Sequence, residues 1–211
     1  MMKEIVLLIT GRREFFLKLL LEHLQISLIA ILLAAAIDLL VGMFISEYRR
    51  SAKAVMGAVN FVYTIPSISL LGFLIPLSGI GNGTAVIALT VYALLPMVRN
   101  TYTGLVNISP MLVEAAEGMG STKAQVLFKI KLPLAMPVIV SGLRSMAVMT
   151  IALAGIASFI GAGGLGVAIY RGITTNNKAM TLAGSLLIAL LALVMDFAIG
   201  RMEKRTSYHR I

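Results

Sequence analysis

The residues able to do covalent or metal chemistry are few and poorly spaced for it. The chain has no cysteine, which excludes disulfides, thiolate nucleophiles and Cys-based metal sites. His23 and His209 are its two imidazoles. Neither has a second ligand at helical or hairpin spacing, so each reads as an interfacial side chain, and no metal site is expected. The run Gly161-Ala162-Gly163-Gly164-Leu165-Gly166 spells G-x-G-x-x-G. A dinucleotide site also needs a strand before it and a helix after it. Here an apolar helix precedes, and a flexible turn is the better reading. No G-x-x-x-x-G-K-[ST] occurs, so the chain cannot cradle nucleotide phosphates itself.

What remains is charge and aromatic character in apolar surroundings. Asp38, Arg144 and Asp196 fall inside long apolar runs. Such charges pair within a bundle or line a polar path. Arg144 is the deepest, whereas Asp38 and Asp196 stand nearer the run ends, where water reaches. A structural Arg144–Asp pair is expected, with a gate or path role as the alternative. Tyr63 and Tyr92 offer π faces to a cation, although Tyr92 also suits the aromatic belt at a membrane surface. Pro66 lies mid-run and should break its helix, as in helices that line transport paths. Pro76 and Pro137 read as punctuation near helix ends. Tyr63, Pro66, Ser67 and Arg144 are therefore the candidate path residues.

The elements that carry these residues must be membrane helices. Of 211 residues, 59% are hydrophobic and 13% charged, against about 25% charged in a soluble domain. Mean hydropathy is +0.96. Five apolar runs, at 24–46, 54–77, 84–105, 134–160 and 179–199, approach the roughly 20 residues a bilayer core requires. Lipid supplies no partner for backbone groups, so each must be helical. The third run is the weakest, and Arg99 is expected to snorkel at its end. Segment 4–22 carries Arg12, Arg13, Glu14 and Lys18. It is too charged to span and is expected as an amphipathic interfacial helix. Its apolar stretch is also too short for a signal peptide. The fold class is thus all-α integral membrane with five transmembrane helices. The single domain divides into an N-terminal segment 1–23, a membrane domain 24–200 containing a loop 106–133, and a tail 201–211.

The net charge of +9 does not form the basic stripe that nucleic acid needs. Its distribution instead sets topology. Arg49, Arg50 and Lys53, then Arg99, Lys123, Lys129 and Lys131, then Arg201, Lys204, Arg205 and Arg210 share one side. They outnumber Lys3, Arg12, Arg13, Lys18, Arg171 and Lys178 on the other. The richer side is cytoplasmic, which predicts an external N-terminus and a cytoplasmic C-terminus.

The loop 106–133 is not random linker. Ser109 can cap a helix with Pro110 at its first position. Gly120 can end that helix in the left-handed conformation. Ser121 or Thr122 can cap a second helix running to Lys131, ahead of Pro133. Val126, Leu127 and Ile130 would share one face of it. An apolar face on a cytoplasmic loop calls for a protein partner, or else tucks under the bundle.

Glu114-Ala115-Ala116, Gly120 and Ile130-Lys131-Leu132-Pro133 fit the pattern E-A-A, x3, G, x9, I-x-L-P. This resembles the EAA loop of type I ABC importer permeases. The resemblance implies that Glu114, Ala115, Ala116, Gly120, Ile130, Leu132 and Pro133 belong to a helix that couples to an ATP-binding subunit. Tyr63-Thr64-Ile65-Pro66-Ser67, Ile75-Pro76-Leu77 and the run Phe159 to Gly166 are similar to permeases for glycine betaine, choline and carnitine. The glycine-rich stretch is also similar to methionine permeases. The resemblance further implies a second permease subunit, identical or similar, and a separate extracytoplasmic substrate-binding protein. ATP would be bound by the partner, with no cofactor in this chain, in a bacterial inner membrane. A same-architecture permease for another small solute, such as methionine, is the nearest alternative. An ion-coupled secondary carrier would lack an EAA loop, and a membrane enzyme would need a His or carboxylate cluster.

Overall fold

The computed structural model describes residues 1–208, with the backbone alone at Ser207 and Tyr208. The readings of His209 and Arg210 therefore lie outside the described residues. Among the described residues the protein is all-helical. Helix α1 is Met2–Gly11 and α2 is Arg13–Glu47. Next come α3, Arg49–Thr64, and α4, Ser67–Ser78. Helix α5 is Asn82–Val106, α6 is Pro110–Gly118 and α7 is the short Lys123–Gln125. A π-helical segment Val126–Lys131 leads into α8, Leu132–Ala154. A 3-10 turn Ile156–Ile160 precedes α9, Gly166–Thr174, and α10, Lys178–Tyr208.

Four rods are long and apolar enough to cross a membrane: α2, α5, the continuous stretch Lys123–Ala154, and α10. Helices α3 and α4 are apolar enough to cross only as a pair, bent by 98° at the break between them, the form of a broken span or a re-entrant loop. The five expected runs map onto the four rods and this bent pair. Pro66 causes the break. It has no N–H to continue the helix, and the chain closes with Ile65 N donating to Val62 O at 3.1 Å. Pro66 O then accepts from Leu70 N at 3.0 Å to start α4.

Two boundaries differ from the sequence reading. The first crossing helix begins at Arg13 rather than residue 24, because no glycine or proline interrupts it and its early turns are buried. Phe16 and Leu19 pack with Ile5 of α1 against Leu165, Met180 and Ala183. The separate N-terminal element is only α1. The tail from 201 is no separate element either, since α10 runs through it to Tyr208.

The core is made by α5 packing between α2 and α8, with α10 closing the other side of α8. Met97, Leu105, Met146 and Ala147 are its buried centre. The glycine-rich run is a packed corner and not a flexible turn. Gly163 N–H donates to Asn82 Oδ1 at 2.8 Å and Gly164 N–H to Glu22 Oε2 at 3.1 Å. Gly164 has φ +91, and a Cβ there would press on His23. A Cβ on Gly166 would collide with the Gly155 carbonyl. His23 is fully buried rather than interfacial, with Nε2 3.0 Å from Ile151 O. Glycine is required here because α2 and the chain after α8 meet backbone to side chain.

Candidate functional site

Three places carry the polar and functional side chains. The first is the loop 106–133. Pro110 occupies the first turn of α6, and Leu112 N donates to the Ser109 carbonyl at 3.1 Å. The Ser109 side chain itself makes no cap. Gly120 has φ +86. Gly120 N donates to Glu117 O at 2.9 Å and Ser121 N to Ala116 O at 3.0 Å, the paired bonds of a Schellman stop. Thr122, not Ser121, caps the next helix. Its side chain and that of Gln125 satisfy each other's backbone N–H groups, a full capping box.

That second helix does not stop before Pro133. Pro133 cannot donate to Lys129 O, and the chain adapts by widening into the π segment, where Leu132 N donates to Leu127 O. The loop therefore continues without a joint into α8.

The structure also sorts the predicted loop residues. Glu114 and Ala115 are exposed, as are Gly120 and Pro133, whereas Ile130 and Leu132 are half-buried. Ala116 is 2% exposed, on a helix that packs against the Val126–Lys131 segment, so it is packing rather than free surface. Val126 is buried, and Leu127 and Leu132 pack on the core. The apolar face named from sequence thus tucks under the bundle. The outward apolar residues are Met111, Leu112, Met119 and Phe128. Met111, Ala115 and Met119, four residues apart, form one stripe on α6. Lys131 Nζ pairs with Glu47 Oε1 at 2.8 Å, tying this loop to the C-terminal end of α2.

The second place is Arg144. Its Nε and Nη2 donate to Asp196 Oδ1 and Oδ2 at 2.6 and 2.7 Å, and its Nη1 to Glu203 Oε2 at 3.1 Å. The expected Arg–Asp pair exists, with Asp196, and it clasps α8 to α10. Glu203 was not foreseen; it lies one helical week beyond Asp196, so i, i+7 spacing was the available signal. Asp38 is a different case. It is fully buried, and neither carboxylate oxygen has a hydrogen-bond partner. The expectation that water reaches it fails because α2 buries this face against α5.

The third place is the outer surface of α3, α5 and α8. Asn60, Tyr63, Thr64, Arg99 and Ser145 are all exposed there. Arg99 Nη2 donates to Asn60 Oδ1 at 3.1 Å, and so Arg99 does not merely snorkel. Tyr63 Oη lies 3.5 Å from Met149 Sδ, and the Tyr63 and Tyr92 rings are 5.9 Å apart. Ser67 is half-buried at the start of α4, beside the Pro66 break. The exposed faces of α2 and α10 contrast with this surface. Leu28, Leu32, Leu33, Ile37 and Leu40 line the one; Leu186, Leu190, Leu193, Val194 and Phe197 line the other. Lipid suits the second surface and not the first, because polar side chains at membrane depth are costly unless they meet water or protein. Arg144 is not part of this polar surface, being turned to α10. Among the described residues no group of three His, Asp or Glu side chains is placed to hold a metal ion.

A bundle of four long apolar rods and one sharply bent helix pair, with a loop helix that runs without a joint into a span, has the architecture of a type I ABC importer permease. The chain belongs to the family described as the binding-protein-dependent transport system inner membrane component, matched over residues 27–208. It is 40% identical to the carnitine transport permease protein OpuCB of Listeria monocytogenes, over 87% of this chain and 84% of that one. It is 40% identical to the glycine betaine/carnitine/choline permease protein OpuCD of Bacillus subtilis, over 88% and 82%. It is 42% identical to the osmoprotectant import permease protein OsmW of Salmonella typhimurium, over 86% and 87%. In fold it is similar to a chain of the MetNI methionine ABC transporter in an inward-facing conformation. That match has TM-score 0.85 and 25% identity, and covers 93% of this chain and 98% of that one. The chain is accordingly a transport permease and not an enzyme.

Proposed function

We propose that this permease moves a quaternary-ammonium osmoprotectant, such as glycine betaine, choline or carnitine. The observation that carries the reading is the roughly 40% identity to permeases named for those solutes, spread along nearly the whole chain. The methionine transporter shares the fold at 25% identity, and it supports the architecture rather than the solute. An extracytoplasmic binding protein delivers the solute, and a second permease subunit covers the polar surface of α3, α5 and α8. An ATP-binding subunit docks on the outward stripe of α6. The continuous rod from Lys123 to Ala154 gives that docking mechanical reach: a displacement of the loop moves α8 without an intervening hinge. The Lys131–Glu47 pair carries the same displacement to α2.

Vesicles holding this permease with its ATP-binding and binding-protein partners are expected to accumulate radiolabelled glycine betaine, choline or carnitine only when ATP is present inside. Methionine uptake with none of the three amines moving would transfer the assignment to the other solute class.

The orientation follows from the same reading, with α6 and the end of α10 in the cytoplasm. Reporter fusions at Lys53 should read cytoplasmic and at Asn82 extracytoplasmic. The same side for both would reject the α3–α4 crossing.

A further inference from the structure

We propose that Tyr63 and Tyr92, with the Met149 thioether, form a cation-binding station for the quaternary ammonium group partway through the membrane. The inference rests on the substrate reading above and adds a site to it.

The depth comes first. Helix α5 starts at Asn82, and Tyr92 lies ten residues on, about 15 Å along the axis at 1.5 Å per residue. A membrane core is about 30 Å thick. With the start of α5 at the outer surface, Tyr92 stands near mid-depth, deeper than an aromatic belt. Its ring is buried among Leu70, Leu71, Ala88 and Ile160, yet its hydroxyl has no hydrogen-bond partner. A buried hydroxyl is ordinarily satisfied.

Tyr63 supplies the accessible part. It is 42% exposed, tilted 59° to Tyr92, and its hydroxyl is held by Met149 across from α8. The 98° bend at Pro66 follows three residues later and turns α4 aside, which leaves the Tyr63 ring uncovered. Its neighbours on that surface are Asn60, Thr64, Ser145 and Arg99, none of them acidic, and the one cation, Arg99, donates to Asn60 Oδ1. A carboxylate would hold a permanent cation tightly, whereas aromatic faces and a polarisable sulfur attract it weakly enough to release it. A transport path needs binding that is favourable and still reversible. A quaternary ammonium has no N–H and cannot donate a hydrogen bond, so a π face suits it better than a carbonyl.

The test is uptake in vesicles containing the whole complex. Position 63 is replaced by phenylalanine and then by mono-, di- and trifluorophenylalanine, each fluorine weakening the negative face of the ring at nearly constant shape. The expected result is a stepwise loss of choline uptake, reaching about tenfold across the series. Tyr63→Leu should fall at least as far while the complex still co-purifies. A ring serving only to pack would give a flat series. Wild-type vesicles that move choline, paired with a flat series or with Tyr63→Leu at the wild-type rate, would overturn the station and leave the substrate reading standing. Wild-type vesicles that move no quaternary amine would remove the substrate reading, and the station with it.

Discussion

Arg144→Ala is expected to lower the amount of folded permease in the membrane several-fold and to abolish uptake by what remains. The guanidinium makes three charge-assisted hydrogen bonds, two to Asp196 and one to Glu203. Such a planar, two-pronged contact is the strongest of the side-chain pairings. Removing it strands the Asp196 carboxylate within the membrane span and takes from Glu203 a partner on α8. Both side chains keep over a third of their surface exposed, so the cost is less than for a fully buried pair, but the survivor is left as an unpaired charge within an apolar span. Two further variants separate structure from gating. Arg144→Lys should retain part of the activity, since one ammonium replaces a bidentate fork with a point contact. Arg144→Met combined with Asp196→Leu and Glu203→Gln should restore folded protein, because all three charges of the cluster are gone together. If uptake returns as well, the clasp is structural only. Protein level is read by immunoblot and thermal midpoint, and transport by solute accumulation. An alanine variant with wild-type level and wild-type uptake would remove Arg144 from any role.

Which acid would meet Arg144 was not legible from spacing. Asp38 and Asp196 are each one charge in one apolar run, and nothing local distinguishes them. The choice is made by packing: α10 lies along α8, while α2 meets α5 with the Asp38 face inward. Helix ends were harder still. Arg13, Glu14, Lys18 and Glu22 argued against a span, and correctly so in terms of lipid. A hydropathy window measures solubility in lipid, however, and not helical continuity. Helix α2 is 35 residues long, about 52 Å, so its first turns extend past the bilayer, where charge costs little. Glu22 is even used, as acceptor for Gly164 N–H.

Signals tied to a specific backbone need survived best. Pro66 broke its helix, and Gly120 took the left-handed conformation. Those outcomes follow from a missing N–H and a missing Cβ, which no tertiary contact can replace. Pro133 shows the limit of the same logic. It does disturb the helix, but a π-helical widening absorbs the fault and the rod continues. The glycine-rich run shows the opposite error. Glycine there permits close approach of Glu22, His23 and the Gly155 carbonyl, a tertiary reason that a sequence window reads as looseness.

The loop 106–133 is where the proposed coupling to an ATP-binding subunit is most directly tested. Gly120→Val should detach the ATP-binding subunit and stop transport while leaving the spans intact. A Cβ at Gly120 meets nothing within 4 Å, so the penalty is purely one of backbone. A residue with a side chain at φ +86 pays about 1–2 kcal/mol, and a β-branched one more. The cheapest relief is to unwind the Schellman stop, which frees the Ala116 and Glu117 carbonyls and re-aims α6. Gly120→Asn, which tolerates the left-handed region, should keep most of the activity. Ala115→Trp attacks the same contact from the surface. Ala115 is the small middle member of the exposed stripe between Met111, 77% exposed, and Met119, 82% exposed. It has room for an indole in the free permease and none against a partner. The neighbouring Ala116 would be a poor test, because bulk at a 2% exposed site disturbs folding first. Co-purification of the ATP-binding subunit with each variant, alongside uptake in vesicles, gives the readout. Gly120→Val and Ala115→Trp are expected to lose at least about tenfold of the bound subunit, a change that about 1.4 kcal/mol suffices to produce. The extracytoplasmic binding protein should still hold its ligand. If both variants retain the subunit and transport at wild-type rates, α6 is not the element through which ATP drives this permease.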